Sequence, residues 1–455
     1  MESTIAAMTA VDLVDAYRRG ALSPVEVVRD TLARAHESQA TLNAFAFIDD
    51  GCLAQAEASA ARWRRDEALG PLDGVPVSIK DNVYAAGMPT RFGSIAIPPD
   101  QTQGPDSPTT ARLREAGAVI IGKTTMPDYA HKIVTDSPLT GVTRNPVDLR
   151  RSPGGSSGGA AAAVAAGIGP LAVGTDGGGS IRIPACWTGI FGLKPSFGRV
   201  PHHPRGAFAP VSHVGPMTRT VRDAALMLTV MARPDSRDWY SLPHDPIAYE
   251  DHLDPAMTGL RVAVSPRLGR TDTEPDAATA AAIADAAACL AAMGAEVAEA
   301  DPPHLGDIVR IAGLQWAAYS AYLADQLGDR AADLDPALLE LAGIGRGLGR
   351  HDIVAAQLDR GRLGAEVARF FDDWDLLLAP VIDRPAPLLD DLDPRAPPLP
   401  PFTSWCNVTG LPAASVPAGR DAQGLPVGVQ VVGRRFDDAG VLRACAVLER
   451  HWGRR

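Results

Sequence analysis

Along the chain the spacing of apolar residues switches between two periods, and each switch predicts an element. Up to about residue 65 the apolar positions recur at helical intervals. One start is well marked: Ser23 as N-cap, Pro24 at the first helical position and Glu26 at the third form a capping box ahead of VVRDTLARAHE. From about residue 70 short β-branched runs take over, VPVSI at 75–79 and AVII at 118–121, alternating with helical segments such as SPTTARLREAG at 107–117. AAAAVAAG at 160–167 is small and apolar all round, which suits a buried helix packed closely against a sheet, and the run PLAVG follows it. Beyond a Pro- and Asp-rich connector at 233–257 come a strand (LRVAVS), an Ala-rich helix over 277–294 and a strand (AEVAEA). Residues 305–372 read as mainly helical with the weakest pattern, a candidate cap over a site. WDLLLAPV at 374–381 returns to the sheet, a Pro-rich loop at 385–401 follows, and strand VGVQVVG and a helix over 437–451 end the chain. Alternation of this kind predicts an α/β fold.

Composition narrows the function. The 455 residues are 46% apolar and 21% charged with a net charge of -11, enough for a large core and opposed to a nucleic-acid partner, which needs clustered Lys and Arg. Arg62, Arg64 and Arg65, and Arg150 with Arg151, read as solvated faces. Five cysteines without CxxC spacing predict reduced thiols and a cytoplasmic location, with no metal site and no cofactor. Glu2, Asp12 and Asp15 break the pattern of a signal peptide, and no run of 18 apolar residues predicts a membrane span.

Two glycine clusters, GGSSGG at 154–159 and GGGS at 177–180, carry the candidate chemistry. A flexible linker does not sit between apolar segments such as AAAAVAA and PLAVG. A phosphate loop needs GxxxxGK[ST] or GxGxxG after a strand, and neither pattern is present. Gly154, Ser156 and Gly158 fit the GxSxG elbow, but that turn needs a preceding strand where the chain has NPVDLRRSP, and a histidine base for which His213 or His351 could be nominated. A fourth reading joins the serines to Lys80, which ends the apolar run in GVPVSIKDN, where an ammonium is costly to desolvate. Pairing of Lys80 with Asp81, or escape to solvent, is the plainer alternative.

The segments LDGVPVSIKDN (72–82), AGAVIIGKTTM (116–126), TRNPVDLRRSPGGSSGG (143–159), VGTDGGGSIRIPA (173–185), GLKPSFGRV (192–200), VGPMTRTVRDAA (214–225), GLPAASVPAG (410–419) and GLPVGVQVVG (424–433) together resemble the amidase signature family over nearly the whole chain, least so at 235–375. The resemblance implies a single large α/β/α domain with a central mixed, mostly parallel twisted sheet covered by helices. Within it, 1–68 would be an N-terminal helical segment packed on the core, 69–232 the catalytic core, and 233–455 the remainder, with the helical cap at about 305–372.

It also implies a triad of Ser180 as nucleophile, Ser156 as relay, with a cis peptide before it, and Lys80 as base. A free lysine, with a pKa near 10.4, is neutral in only about one molecule in a thousand at pH 7.4, so Lys80 must be dry to serve. Gly177, Gly178 and Gly179 would supply oxyanion amides, Ser157 would support the triad, and Asp176 and Arg182 would hold the loop. Lys123 matches a family lysine and is assigned a structural part. Family members often carry Thr where Gly177 stands and Gln where Ile183 stands, so no relative's substrate transfers directly. Tyr129 and His131 are implied in the acyl pocket, and Phe208, Phe402 and Trp405 are candidates for an aryl or other bulky apolar substrate. The expected activity is hydrolysis of a small-molecule amide or carbamate by a monomer or homodimer, without nucleic acid or membrane. The alternative is the glutaminase (A) subunit of a tRNA-dependent amidotransferase.

Overall fold

The helix predicted at Ser23 forms as expected: Ser23 Oγ accepts the Val25 N–H at 3.2 Å, Glu26 Oε2 accepts the Ser23 N–H at 2.8 Å, and the helix Pro24–Leu42 ends at Asn43 in the left-handed region. These features belong to a computed structural model that describes residues 4–99, 104–205, 210–303, 307–393, 400 and 402–453. Ser107 likewise caps Pro108–Glu115, and Asp276 caps Ala277–Ala292.

The period-two runs assemble into one sheet of 11 strands among the described residues. Its order is Phe45–Ile48, Val119–Thr124, Pro76–Lys80, Leu171–Asp176, His213–Thr218, Phe191–Lys194, Ala413–Arg420, Pro426–Gly433, Leu376–Pro380, Arg261–Val264 and Glu296–Glu299. The expected α/β architecture with a mixed sheet is present, though its parallel share is smaller than the family resemblance implied. Four of the ten pairings are parallel, two at each flank, and six are antiparallel. Part of the reason is local, because Ala413–Arg420 and Pro426–Gly433 are joined by a short turn, which admits only antiparallel pairing. The N-terminal region, read as helical, also supplies the edge strand Phe45–Ile48.

Alternation along each strand sorts side chains onto two faces. Val77, Ile79, Leu171, Val173, Leu376 and Val431 face a core closed by helices Val221–Met231, Ala277–Ala292 and Asp438–Trp452. On the other face Ala172 and Met217 meet the small-residue helix Gly158–Ala165, while Ala263, Leu377 and Ala413 meet helices Asp307–Leu327 and Arg350–Asp373. The region expected as a helical cap is therefore helical, with Pro336–Arg346 as its third helix.

Strands Pro76–Lys80 and Leu171–Asp176 run parallel, with Ile79 opposite Val173, so Lys80 and Thr175 leave the sheet at the same end. The carboxyl ends of parallel strands are where open α/β sheets leave a crevice. Both glycine clusters meet there.

Candidate active site

Lys80 closes a strand in which all five residues are buried, and its own side chain is 0% exposed. Its Nζ lies 2.7 Å from Ser156 Oγ, 2.9 Å from Ser157 Oγ and 3.3 Å from the Thr175 carbonyl. Burial pulls the ammonium pKa well below its ordinary value, opposed in part by the charge of Asp176. The plainer alternatives for Lys80, solvent or Asp81, are not what the chain does. Asp81 instead accepts the N–H groups of Gly93 at 2.8 Å and Arg91 at 3.3 Å. Ser156 follows a cis peptide, Gly155–Ser156. Ser157 donates its hydroxyl to the Thr175 carbonyl at 3.1 Å and its N–H to the Ser180 carbonyl at 3.2 Å, tying the first serine cluster to the second.

The second cluster is held from below by a buried ion pair. Arg182 has five N–H donors and each finds an acceptor: Asp176 Oδ2 and Oδ1 at 3.0 Å, the Thr403 carbonyl at 2.9 Å, Gln430 Oε1 at 2.7 Å and Asn407 Oδ1 at 2.6 Å. Asp176 in turn accepts the N–H of Gly179 at 2.7 Å and of Ile181 at 3.1 Å. Burial alone would raise this carboxyl, but the Arg182 guanidinium holds it well below the usual carboxylate range. Because the Gly179 amide is committed to Asp176, it is not free for an oxyanion. The amides of Gly177 and Gly178 have no partner among the described residues. Thr403 and Ser404 fix the Gly178 carbonyl, donating to it at 2.5 and 3.2 Å. Gly179 has φ +135°, and a Cβ there would stand 2.7 Å from Ile183 Cδ1, so only glycine fits.

Ser156 and Ser180 open onto one cavity of about 530 Å³. Tyr129 lines it, stacked on Phe92 with ring centroids 5.4 Å apart. His131 does not reach it. Its Nδ1 lies 2.7 Å from the Asp128 carbonyl and its Nε2 stands 3.4 Å from Asp335 without a hydrogen bond among the described residues, while Asp335 fastens the 127–132 segment to the cap by accepting from Lys132 at 2.9 Å and donating its N–H to Asp128 Oδ2 at 2.7 Å. Phe402 and Trp405 are 0% and 1% exposed and belong to the core beneath the cavity rather than to its wall. Phe208 lies outside the described residues. Instead the apolar wall comes from the cap helix Asp307–Leu327, through Trp316, Tyr319, Tyr322 and Leu323. Their spacing is that of one helix face, a signal present in WAAYSAYL but without a clue to what the face meets.

The histidines nominated for an elbow are elsewhere. His213 is buried with Nδ1 at 2.8 Å from the Val211 carbonyl, and burial pulls its pKa well below the ordinary value. His351 is exposed on Arg350–Asp373, and no strand leads directly into Gly154. Lys123 donates to Val83 O and Thr90 Oγ1, at 2.8 and 2.7 Å, away from the cavity. All five cysteines are buried and free. Among the described residues no cluster could hold a metal ion, and no helix is long and apolar enough to cross a membrane.

A buried lysine thus rests on paired serines, at the end of a mixed sheet beneath a helical cap. The chain belongs to the amidase family, the amidase signature enzymes, whose family pattern matches residues 26–442. An acylamidase of Rhodococcus erythropolis is 35% identical over 464 residues, 97% of this chain and 95% of the relative. The A subunit of the glutamyl-tRNA(Gln) amidotransferase of Symbiobacterium thermophilum is also 35% identical, over 484 residues, 96% of this chain and 95% of the relative. Among solved structures, a bacterial aryl acylamidase superposes with a TM-score of 0.89 at 32% identity, covering 97% of this chain and 96% of the other. As a member of this family the chain is a hydrolase of C–N bonds in amides.

Proposed function

We propose that the protein hydrolyses aryl or otherwise bulky apolar amides, and carbamates of similar shape, through an acyl-enzyme on Ser180. The observation that carries this is the dry Lys80 nitrogen at 2.7 Å from Ser156 Oγ. Neutral Lys80 takes the Ser156 hydroxyl proton as Ser156 takes that of Ser180, and Ser180 Oγ attacks the substrate carbonyl carbon. The amides of Gly177 and Gly178 receive the oxyanion, a donor type worth about 3–4 kcal/mol in comparable hydrolases. As the C–N bond breaks, the proton returns from Lys80 through Ser156 to the leaving nitrogen. Water then attacks the ester by the same relay, releasing the acid and restoring Ser180.

The aromatic wall of Phe92, Tyr129, Trp316 and Tyr319 supports an aryl group in the substrate. So does the likeness to proteins named acylamidase and aryl acylamidase. Carbamates pass through a similar tetrahedral oxyanion. Purified protein incubated with a p-nitroanilide and an aryl carbamate should release amine from both, and a phosphonyl fluoride should label the peptide bearing Ser180. Absence of amine from both, with Ser180 unlabelled, overturns the reading.

The likeness to the amidotransferase chain favours glutaminase activity as the second reading. Glutamine carries an ammonium as well as a carboxylate, yet no Asp or Glu lies on the cavity wall among the described residues. Ammonia release from glutamine, and co-purification with two partner proteins, would favour that reading over the first.

A further inference from the structure

Beside the active-site cavity, a groove of about 310 Å³ lies between helices Asp307–Leu327 and Arg350–Asp373. Its walls are mostly apolar, with Leu314 and Ala318 on one side and Ile353 and Ala356 on the other. Apart from the exposed Gln357, its one amide side chain is Gln315. It is 5% exposed, and neither its Nε2 nor its Oε1 has a hydrogen-bond partner. Folded proteins rarely bury an amide with both ends unsatisfied, because the water it gives up is not replaced. A ligand group that presents one N–H and one C=O side by side, an amide, carbamate or urea, answers both ends at once.

The groove adjoins the catalytic cavity. Tyr319 and Tyr322 line both, and Trp316, the neighbour of Gln315, stands over the nucleophile loop, its Cζ2 3.6 Å from where a Cβ on Gly177 would be. Ile353 at 42% and Tyr322 at 61% exposure leave apolar surface at the mouth of the groove.

We propose that this groove is a second substrate subsite, and that the enzyme is built for elongated apolar substrates with two amide-type groups: one is cleaved at Ser180, while the other pairs with Gln315 beyond Tyr319 and Tyr322. This deepens the amide-hydrolase reading and rests on it.

Three p-nitroanilides separate the possibilities: one with an acetyl arm, one with a decanoyl arm, and one of decanoyl length interrupted by a second amide. In the wild type the interrupted arm should exceed decanoyl in kcat/KM by about tenfold, the scale of a hydrogen bond to an otherwise unsatisfied group. Gln315→Leu should cancel or reverse that order, and Ile353→Asp, at an exposed position, should lower both long arms relative to acetyl. An unchanged interrupted-to-decanoyl ratio in Gln315→Leu overturns the subsite, as does an equal loss on all three substrates, which marks Gln315 as merely structural. If none of the three is hydrolysed, the hydrolase reading fails instead. Calorimetric titration of Ser180→Ala and Ser180→Ala/Gln315→Leu with the interrupted anilide then decides the subsite by itself: equal affinity overturns it, and weaker binding by the double variant supports it.

Discussion

Arg182→Lys keeps the charge beneath the nucleophile loop and removes its geometry. The guanidinium spends five N–H groups on five acceptors in a site that is 0% exposed. An ammonium has three, so at least two hydrogen bonds to a charged group are lost, each worth about 1.5–3 kcal/mol. The sum, about 3–6 kcal/mol, is a large part of the 5–15 kcal/mol by which domains are typically stable. Function should suffer as well. Asp176, no longer gripped from two sides, holds the N–H groups of Gly179 and Ile181 less firmly, and these flank Ser180. A displacement of about 1 Å at a nucleophile costs about a hundredfold in rate. Urea unfolding followed by circular dichroism measures the first effect and anilide hydrolysis the second. An unfolding free energy within about 0.5 kcal/mol of wild type, with kcat within threefold, would refute the claim that the fork geometry of this arginine sets the loop, since surface substitutions already span that range.

Three further outcomes follow from the same geometry. Because burial lowers the Lys80 pKa, kcat/KM should fall on the acid side as Lys80 becomes protonated. Between the folded pKa and about 10.4 the unfolded chain binds the proton that the folded one does not, so the cost of burying Lys80 is full below that window and fades as pH rises through it. Lys80→Met should therefore abolish turnover and flatten the rise of urea midpoint with pH over that range; an equally steep rise counts against a buried neutral amine. Ser180→Ala should lower kcat by at least about 10⁴-fold and abolish phosphonyl labelling while leaving the unfolding curve in place, and retained labelling at Ser156 would redirect the nucleophile to that serine. Trp316→Ala strips apolar wall from the cavity and should lower kcat/KM for aryl anilides about tenfold, mainly through KM; a purely kcat effect would place the indole outside the binding wall.

Much of this was legible in the sequence because it is local. The capping box at Ser23, the period-two runs and the small-residue helix at Gly158–Ala165 each depend on residues within a few positions, and all formed where expected. Lys80 stood out because a cation at the end of an apolar strand needs a reason, and Ser156 and Ser180 because glycine surrounds them. What the sequence left open depends on meetings over long separations. Asn407 reaches Asp176 across 231 positions and Gln430 reaches Arg182 across 248, and nothing beside either residue announces a partner. His131, Phe402 and Trp405 have the right chemistry for a pocket, but packing turned them into the cap contact and the core. The helical period in WAAYSAYL shows that one face differs from the rest, while only the stacking of the cap against the sheet determines that this face looks into the cavity rather than into water. Local conformation follows from short-range sterics and hydrogen bonding written along the chain; which faces meet follows from burying all of them at once, and that is a property of the assembled fold.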